Sequence, residues 1–300
     1  MNILGQNATR SVLSVGFALL FAIIPISLPA QTGRAGAVSE RYGYALVKPL
    51  ANDEEKAMLD KVEEIKKIPA QTFEARKFEA SNRVTLGYRL LKPKNYEPGV
   101  KYPLVVVLHG SGAIGDDNVS QLGILAKSWA QPEYRSNYPC FVLAPQFPSR
   151  SVEYIKADEG GKTISKPLPP LYAAIELIEA FSKEYKVDQK RIYVMGFSMG
   201  GSSTMNALFL RPEMFAAAIS IAGVPNHEMA GRITRVPLWI MHGNRDMENE
   251  FGPDKLMYEM LLKAGGRRVR FWEFDGVAHE VPARVFGTRE LPDWLFNQHR

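Results

Sequence analysis

Six short apolar runs punctuate the chain from Pro103 onward: PLVVVLH, CFVLAP, IYVMGF, AAAISIAG, PLWIMHG and VRFWEFDG. Almost every position in these runs is apolar, so as strands they need cover on both faces. Segments with helical spacing, notably PLYAAIELIEAFSKEYKV and SSTMNALFLRPEMF, lie between several of them. Strand and helix in alternation define an α/β chain with a mostly parallel central sheet flanked by helices. With 300 residues, 46% of them hydrophobic, the chain has enough apolar side chain to fill such a core. In a sheet of this kind chemistry concentrates in the loops at the carboxyl ends of the strands.

The part before the first run reads differently. Residues 38–52 form an irregular lead-in. EEKAMLDKVEEIKKI places Met58, Leu59, Val62 and Ile65 on one stripe between charges, a surface helix. TFEARKFEA and VTLGYRLLKP flank an SNR turn as a β-hairpin. The polar, Pro-rich IKADEGGKTISKPLPP reads as a loop. At the extreme N-terminus one basic residue precedes SVLSVGFALLFAIIPISLPA, and Ala35-Gly36-Ala37 follows, with Ala30 a second small-residue stop. That layout is a secretory signal, and Pro25 argues against an uncleaved anchor. The expected organisation is a signal peptide over 1–37, an N-terminal extension over 38–82 and a catalytic domain over 83–300. The expected location is periplasmic or secreted, with no stable membrane insertion after signal removal.

Composition excludes several classes. Cys140 is the only cysteine, so an intrachain disulfide and a multi-cysteine zinc site are ruled out. The net charge of +5 comes from scattered basic residues, densest at Gly265–Arg270, and no basic face for nucleic acid is apparent. Two glycine motifs imitate phosphate loops. GSGAIG at Gly110–Gly115 fits a dinucleotide fingerprint, but Asp116 and Asp117 follow at once and the next strand ends without the acid such a site uses. GGKT at Gly160–Thr163 lacks the upstream glycine, Lys156 standing in its place. Asp116 and Asp117 read as turn residues rather than metal ligands. No metal and no organic cofactor is expected.

The functional signal lies in GFSMG, Gly196–Gly200, between a strand and a helix. A serine on a strained strand-to-helix turn needs glycines two before and two after it, where a Cβ would collide. Ser198 is therefore the candidate nucleophile. A hydroxyl needs a base and an orienting acid, and in this strand–turn–helix context they follow in the order serine, acid, histidine. His279, just past the last strand in FDGVAHE, is the favoured base, with His227 the alternative; His299 sits at the terminus and His242 at a strand end. Asp246, after PLWIMHGNR, is the favoured acid, with Asp275, Glu248 and Glu250 as alternatives. Two backbone amides must face the developing oxyanion. Met199, the residue after the nucleophile, supplies one, and Ser111 in HGSG supplies the other, with Gly112 the alternative.

On these residues the chain resembles the α/β-hydrolase superfamily. YPLVVVLHGSGAIGDDNVSQL and PCFVLAPQFP make it similar to the exported esterase and predicted-peptidase group related to feruloyl and polyhydroxybutyrate-depolymerase-like esterases, from about Arg83 onward. The resemblance implies an exported serine hydrolase that cleaves small-molecule or carbohydrate-linked carboxylic esters, with Ser198, Asp246 and His279 as its triad. Two other readings are a peptidase with the same machinery and a catalytically silent binding module. The segment ending near Asn82 is short for the propeller that would position a peptide. Trp129, Tyr154 and Trp272 read as packing residues first and as pocket walls second.

Overall fold

The computed structural model describes residues 42–157 and 161–300. The secretory-signal segment with its stops at Ala30 and Ala37, and the first glycine of GGKT, lie outside the described residues.

Eleven strands form in chain order: β1 (Gly43–Val47), β2 (Glu74–Glu79), β3 (Thr85–Leu91), β4 (Leu104–Leu108), β5 (Phe141–Gln146), β6 (Val152–Lys156), β7 (Thr163–Pro167), β8 (Ile192–Phe197), β9 (Ala217–Ile221), β10 (Leu238–Gly243) and β11 (Val269–Phe274). Nine of them make one sheet in the order β1-β11-β10-β9-β8-β4-β5-β3-β2. Neighbours are parallel from β1 through to β5, and β3 and β2 complete the sheet antiparallel. The six apolar runs supply β4, β5, β8, β9, β10 and β11, and the hairpin expected before them is β2–β3.

Two segments depart from the sequence expectation. The lead-in contains β1, which pairs with β11 from Gly43↔Arg270 to Val47↔Phe274. It is an edge strand with Tyr44 and Leu46 left exposed, so it carries none of the continuous apolar character that marks the central strands. The Pro-rich segment is a separate antiparallel hairpin, β6–β7, rather than an irregular loop. Val152 anchors it in the apolar core, and polar bonds add to this: Ser165 Oγ donates to Val224 O at 2.5 Å and receives Asn206 Nδ2 at 2.7 Å.

Successive residues of each central strand point to opposite faces, and two cores result. The helices are α1 (Asn52–Lys66), α2 (Ile124–Lys127), α3 (Pro132–Asn137), α4 (Pro169–Glu184), α5 (Met199–Leu210), α6 (Phe251–Lys263), α7 (Arg284–Gly287) and α8 (Glu290–Phe296). Leu104, Val106, Ile192, Val194 and Ile240 pack with α4, α5 and α6. Val105, Val107, Tyr193, Met195 and Met241 pack on the other face with α1, α2, α3, α7 and α8. Trp129 and Trp272 are each 2% exposed in this second core, which makes them packing residues.

The topology also places a crevice. From β4 the chain moves to β5 on one side, then returns to β8 on the other. Loops leaving β4 and β8 therefore diverge at their carboxyl ends and leave an opening there, the position where open parallel sheets bind ligands. GSGAIG and GFSMG are those two loops.

Candidate active site

Ser198 stands at the turn from β8 into α5 with φ 58° and ψ −120°, a conformation that costs a non-glycine residue roughly 1–3 kcal/mol. The surroundings enforce it. A Cβ at Gly196 would lie closer than 3.0 Å to Gly200 O, and one at Gly200 equally close to Leu108 O, all backbone atoms. The turn is thus wedged against the end of β4, and Ser198 N donates to Ile221 O at 2.9 Å to tie it to β9.

The residues expected from the sequence meet around this serine. His279 Nε2 lies 2.9 Å from Ser198 Oγ, and His279 Nδ1 lies 2.6 Å from Asp246 Oδ2. The side chain of Asp246 is fully buried and that of His279 is 10% exposed, so the imidazole bridges a dry carboxylate and a hydroxyl at the crevice. Two features hold the histidine loop. The ring of Phe197 lies 4.8 Å from that of His279, centroid to centroid. Gly243, at the end of β10, lets the carbonyls of Val277 and Ala278 approach where a Cβ would stand.

Asp246 follows β10 and is surrounded by donors. Its Oδ1 accepts the amides of Glu248 and Asn249, each at 2.9 Å. Burial alone would raise its pKa; the bonds from His242, His279 and the two amides outweigh burial and hold the carboxyl well below the usual carboxylate range.

The alternatives are placed elsewhere. Asp275 is drawn outward to Lys48 Nζ at 2.6 Å and Asn244 Nδ2 at 3.2 Å. His227 opens a short 3₁₀ turn, His227–Arg232, and His299 remains at the C-terminal end. Glu248 is exposed and reaches within 3.7 Å of His279 Nε2, while Glu250 precedes α6.

The HGSG loop lies against the serine. A Cβ on Gly110 would sit 3.5 Å from Ser198 Cβ. His109, which sequence reasoning assigned no role, sets the orientation of this loop. Its Nε2 accepts the Phe147 amide at 2.9 Å, so Nδ1 carries the hydrogen and donates to Gly110 O at 2.7 Å. Burial lowers the ring's pKa against the opposing Gly110 bond, in keeping with a neutral tautomer. In a trans peptide C=O and N–H point opposite ways, so fixing Gly110 O turns the Ser111 amide away from His109. Met199 is the first residue of α5, where the amide has no carbonyl within its own helix to bond.

Other motifs are structural. Asp117 caps a turn through the amides of Val119 and Ser120 at 2.8 and 3.0 Å. Tyr154, on the β6–β7 hairpin, sends its hydroxyl to Ser202 Oγ at 3.3 Å. Burial pushes the Cys140 thiol up, out of use as a nucleophile. Among the described residues no group of acids, histidines or cysteine is arranged to hold a metal.

A mostly parallel sheet in this strand order, with a strained serine after a central strand and a histidine–carboxylate pair brought to it by later loops, is the α/β-hydrolase fold. Comparison with known proteins agrees. The prolyl oligopeptidase family model matches residues 172–279, a stretch that holds Ser198, Asp246 and His279. A thermostable esterase of known structure superimposes with a TM-score of 0.70 at 36% identity, over 77% of this chain and 64% of its own. Feruloyl esterase B of Neurospora crassa is 27% identical over 202 residues, 65% of this chain and 64% of that protein. Poly(3-hydroxybutyrate) depolymerase of Ralstonia pickettii is 30% identical over 146 residues, 47% of this chain and 29% of the depolymerase. The chain thus spans less than two thirds of the length of each of these relatives.

Proposed function

We propose that the protein is an exported serine hydrolase that cleaves carboxylic esters, with small-molecule or carbohydrate-linked esters as its substrates. The observation that carries this reading is the unbroken run of contacts from Asp246 Oδ2 through His279 to Ser198 Oγ, at 2.6 and 2.9 Å. His279 Nε2 takes the hydroxyl proton as Ser198 Oγ attacks the ester carbonyl. Asp246 keeps the hydrogen on Nδ1 and stabilises the imidazolium. The amides of Met199 and Ser111 receive the oxyanion of the tetrahedral intermediate. The imidazolium then protonates the leaving alcohol, and water, activated by the same ring, releases the acid from Ser198.

Ester rather than peptide cleavage is supported by the relatives, which are named for ester substrates in the two sequence matches above. A bifunctional acetylxylan esterase/xylanase of Neocallimastix patriciarum, 39% identical over 72 residues, points the same way toward a carbohydrate-linked ester. Export rests on the N-terminal signal pattern. Among the described residues no helix is long and apolar enough to cross a membrane.

The test is a panel of p-nitrophenyl acetate, feruloyl esters, acetylated sugars and short fluorogenic peptides. Ester turnover that Ser198→Ala abolishes supports the proposal. Turnover of peptides with none of any ester overturns it.

A further inference from the structure

Behind the triad lies a second imidazole–carboxylate pair that the reaction as written does not use. His242, next to last in β10, has a fully buried side chain, as does Asp254 in the first turn of α6. His242 Nδ1 is 2.7 Å from Asp254 Oδ2. Its Nε2 is 3.0 Å from Asn249 O and 3.2 Å from Asp246 Oδ2, the same oxygen that His279 contacts. Both groups facing Nε2 only accept, so Nε2 must carry a hydrogen, whether the proton shared with Asp254 sits on the ring or on the carboxyl. The ring of Phe251 also packs against it, edge-on at 5.8 Å.

We propose that His242 and Asp254 are a positioning pair for the triad acid: Asp254 aims the buried imidazole so that its Nε2–H holds Asp246 and the acid loop together beneath His279. The loop is otherwise pinned from two directions. Asp246 Oδ1 gathers the amides of Glu248 and Asn249, and Asn249 Nδ2 donates to Ala222 O at 2.7 Å beside β9. His242 adds the third direction, from inside the sheet. With it, Oδ2 cannot rotate away from His279 without leaving an imidazole N–H to the Asn249 carbonyl alone, in a site closed to water. Neither residue touches the reacting atoms. The pair rests on the hydrolase reading only in that Asp246 is taken as the acid of a triad.

The experiment compares two double variants. H242L/D254L removes the inner donor and leaves no unpaired charge; H242Q/D254N replaces it with a neutral amide bridge that still presents an N–H. For H242L/D254L we expect kcat on p-nitrophenyl acetate to fall about tenfold, the scale of one net hydrogen bond, with KM within about twofold. The low-field proton resonance of the His279–Asp246 bond shifts or disappears in the same variant. H242Q/D254N keeps at least about half of the wild-type kcat and the resonance. If the apolar pair does not fold, H242N, too short to reach Asp246, is read in its place. A folded H242L/D254L with wild-type kcat and an unmoved resonance overturns the proposal, and so does an equal loss in both pairs. A wild type inert toward esters counts against the hydrolase reading instead, and the resonance comparison then decides the pair alone.

Discussion

Single residues that look alike in sequence, the carboxylates above all, have different surroundings in the fold. Asp246 and Asp275 both end strands near His279, but only Asp246 is buried against it, while Asp275 pairs with Lys48 in solvent. D246N should lower kcat by about four orders of magnitude, because an amide favours the wrong imidazole tautomer, whereas D275N should stay within about twofold. Initial-rate kinetics on one ester decides between them, and the reverse ranking would reassign the acid. Ser198, His279 and Asp246 were legible in sequence because tight turns and strand ends leave local marks. His242 was visible only as a strand end, since its partner Asp254 comes from a helix whose placement no local pattern states. His109 was hidden likewise: its role needs the Phe147 amide, 38 positions away.

At the scale of elements, the β8–α5 turn works because backbone is packed where side chains normally stand. G200A would drive a methyl into the carbonyl of Leu108. A destabilisation of roughly 2–3 kcal/mol or more is expected, seen as a lower Tm together with lost activity, since β4 and the elbow must separate. A G200A protein with wild-type Tm would mean that the contact is not close-packed. The glycine spacing foretold this element well. The edge strand β1 and the β6–β7 hairpin escaped because their anchoring is a matter of partners. Strand β1 borrows its register from β11, and β6–β7 is fastened to α5 and Val224 through serine and asparagine bonds, with only Val152 and Ile164 buried as apolar anchors in β6 and β7.

For the whole molecule, the alternating apolar runs announced a covered parallel sheet, but not the order of its nine strands. Order depends on which face each crossover helix takes, and α5 shows why that is hard to read. Its residues are buried on nearly every side, so it has no polar face to orient it. The buried polar network carries a pH signature for the fold. Burial opposes charge on His242, yet its bonds to Asp246 and Asp254 raise it to about 9 from 6.5. The folded state therefore holds a proton that the unfolded chain releases. That contribution to stability is complete below about 6.5 and is lost as pH rises through about 9. Asp246, depressed in the folded state, contributes in the opposite sense: its share is present above about 3.9 and is lost on acidification through its folded value. Thermal melts from pH 6 to 10 should show Tm falling across the alkaline range, and the fall should flatten in H242Q/D254N. An unchanged alkaline slope in that variant would place the titration elsewhere.

The central claim is that one hydroxyl in this chain is an activated nucleophile. Reaction of the folded protein with a fluorophosphonate, followed by peptide mapping, reads this directly. A single adduct is expected on the peptide carrying Ser198, formed at a rate that H279A reduces by orders of magnitude. No adduct on a folded protein, or an adduct on a different serine, would contradict it.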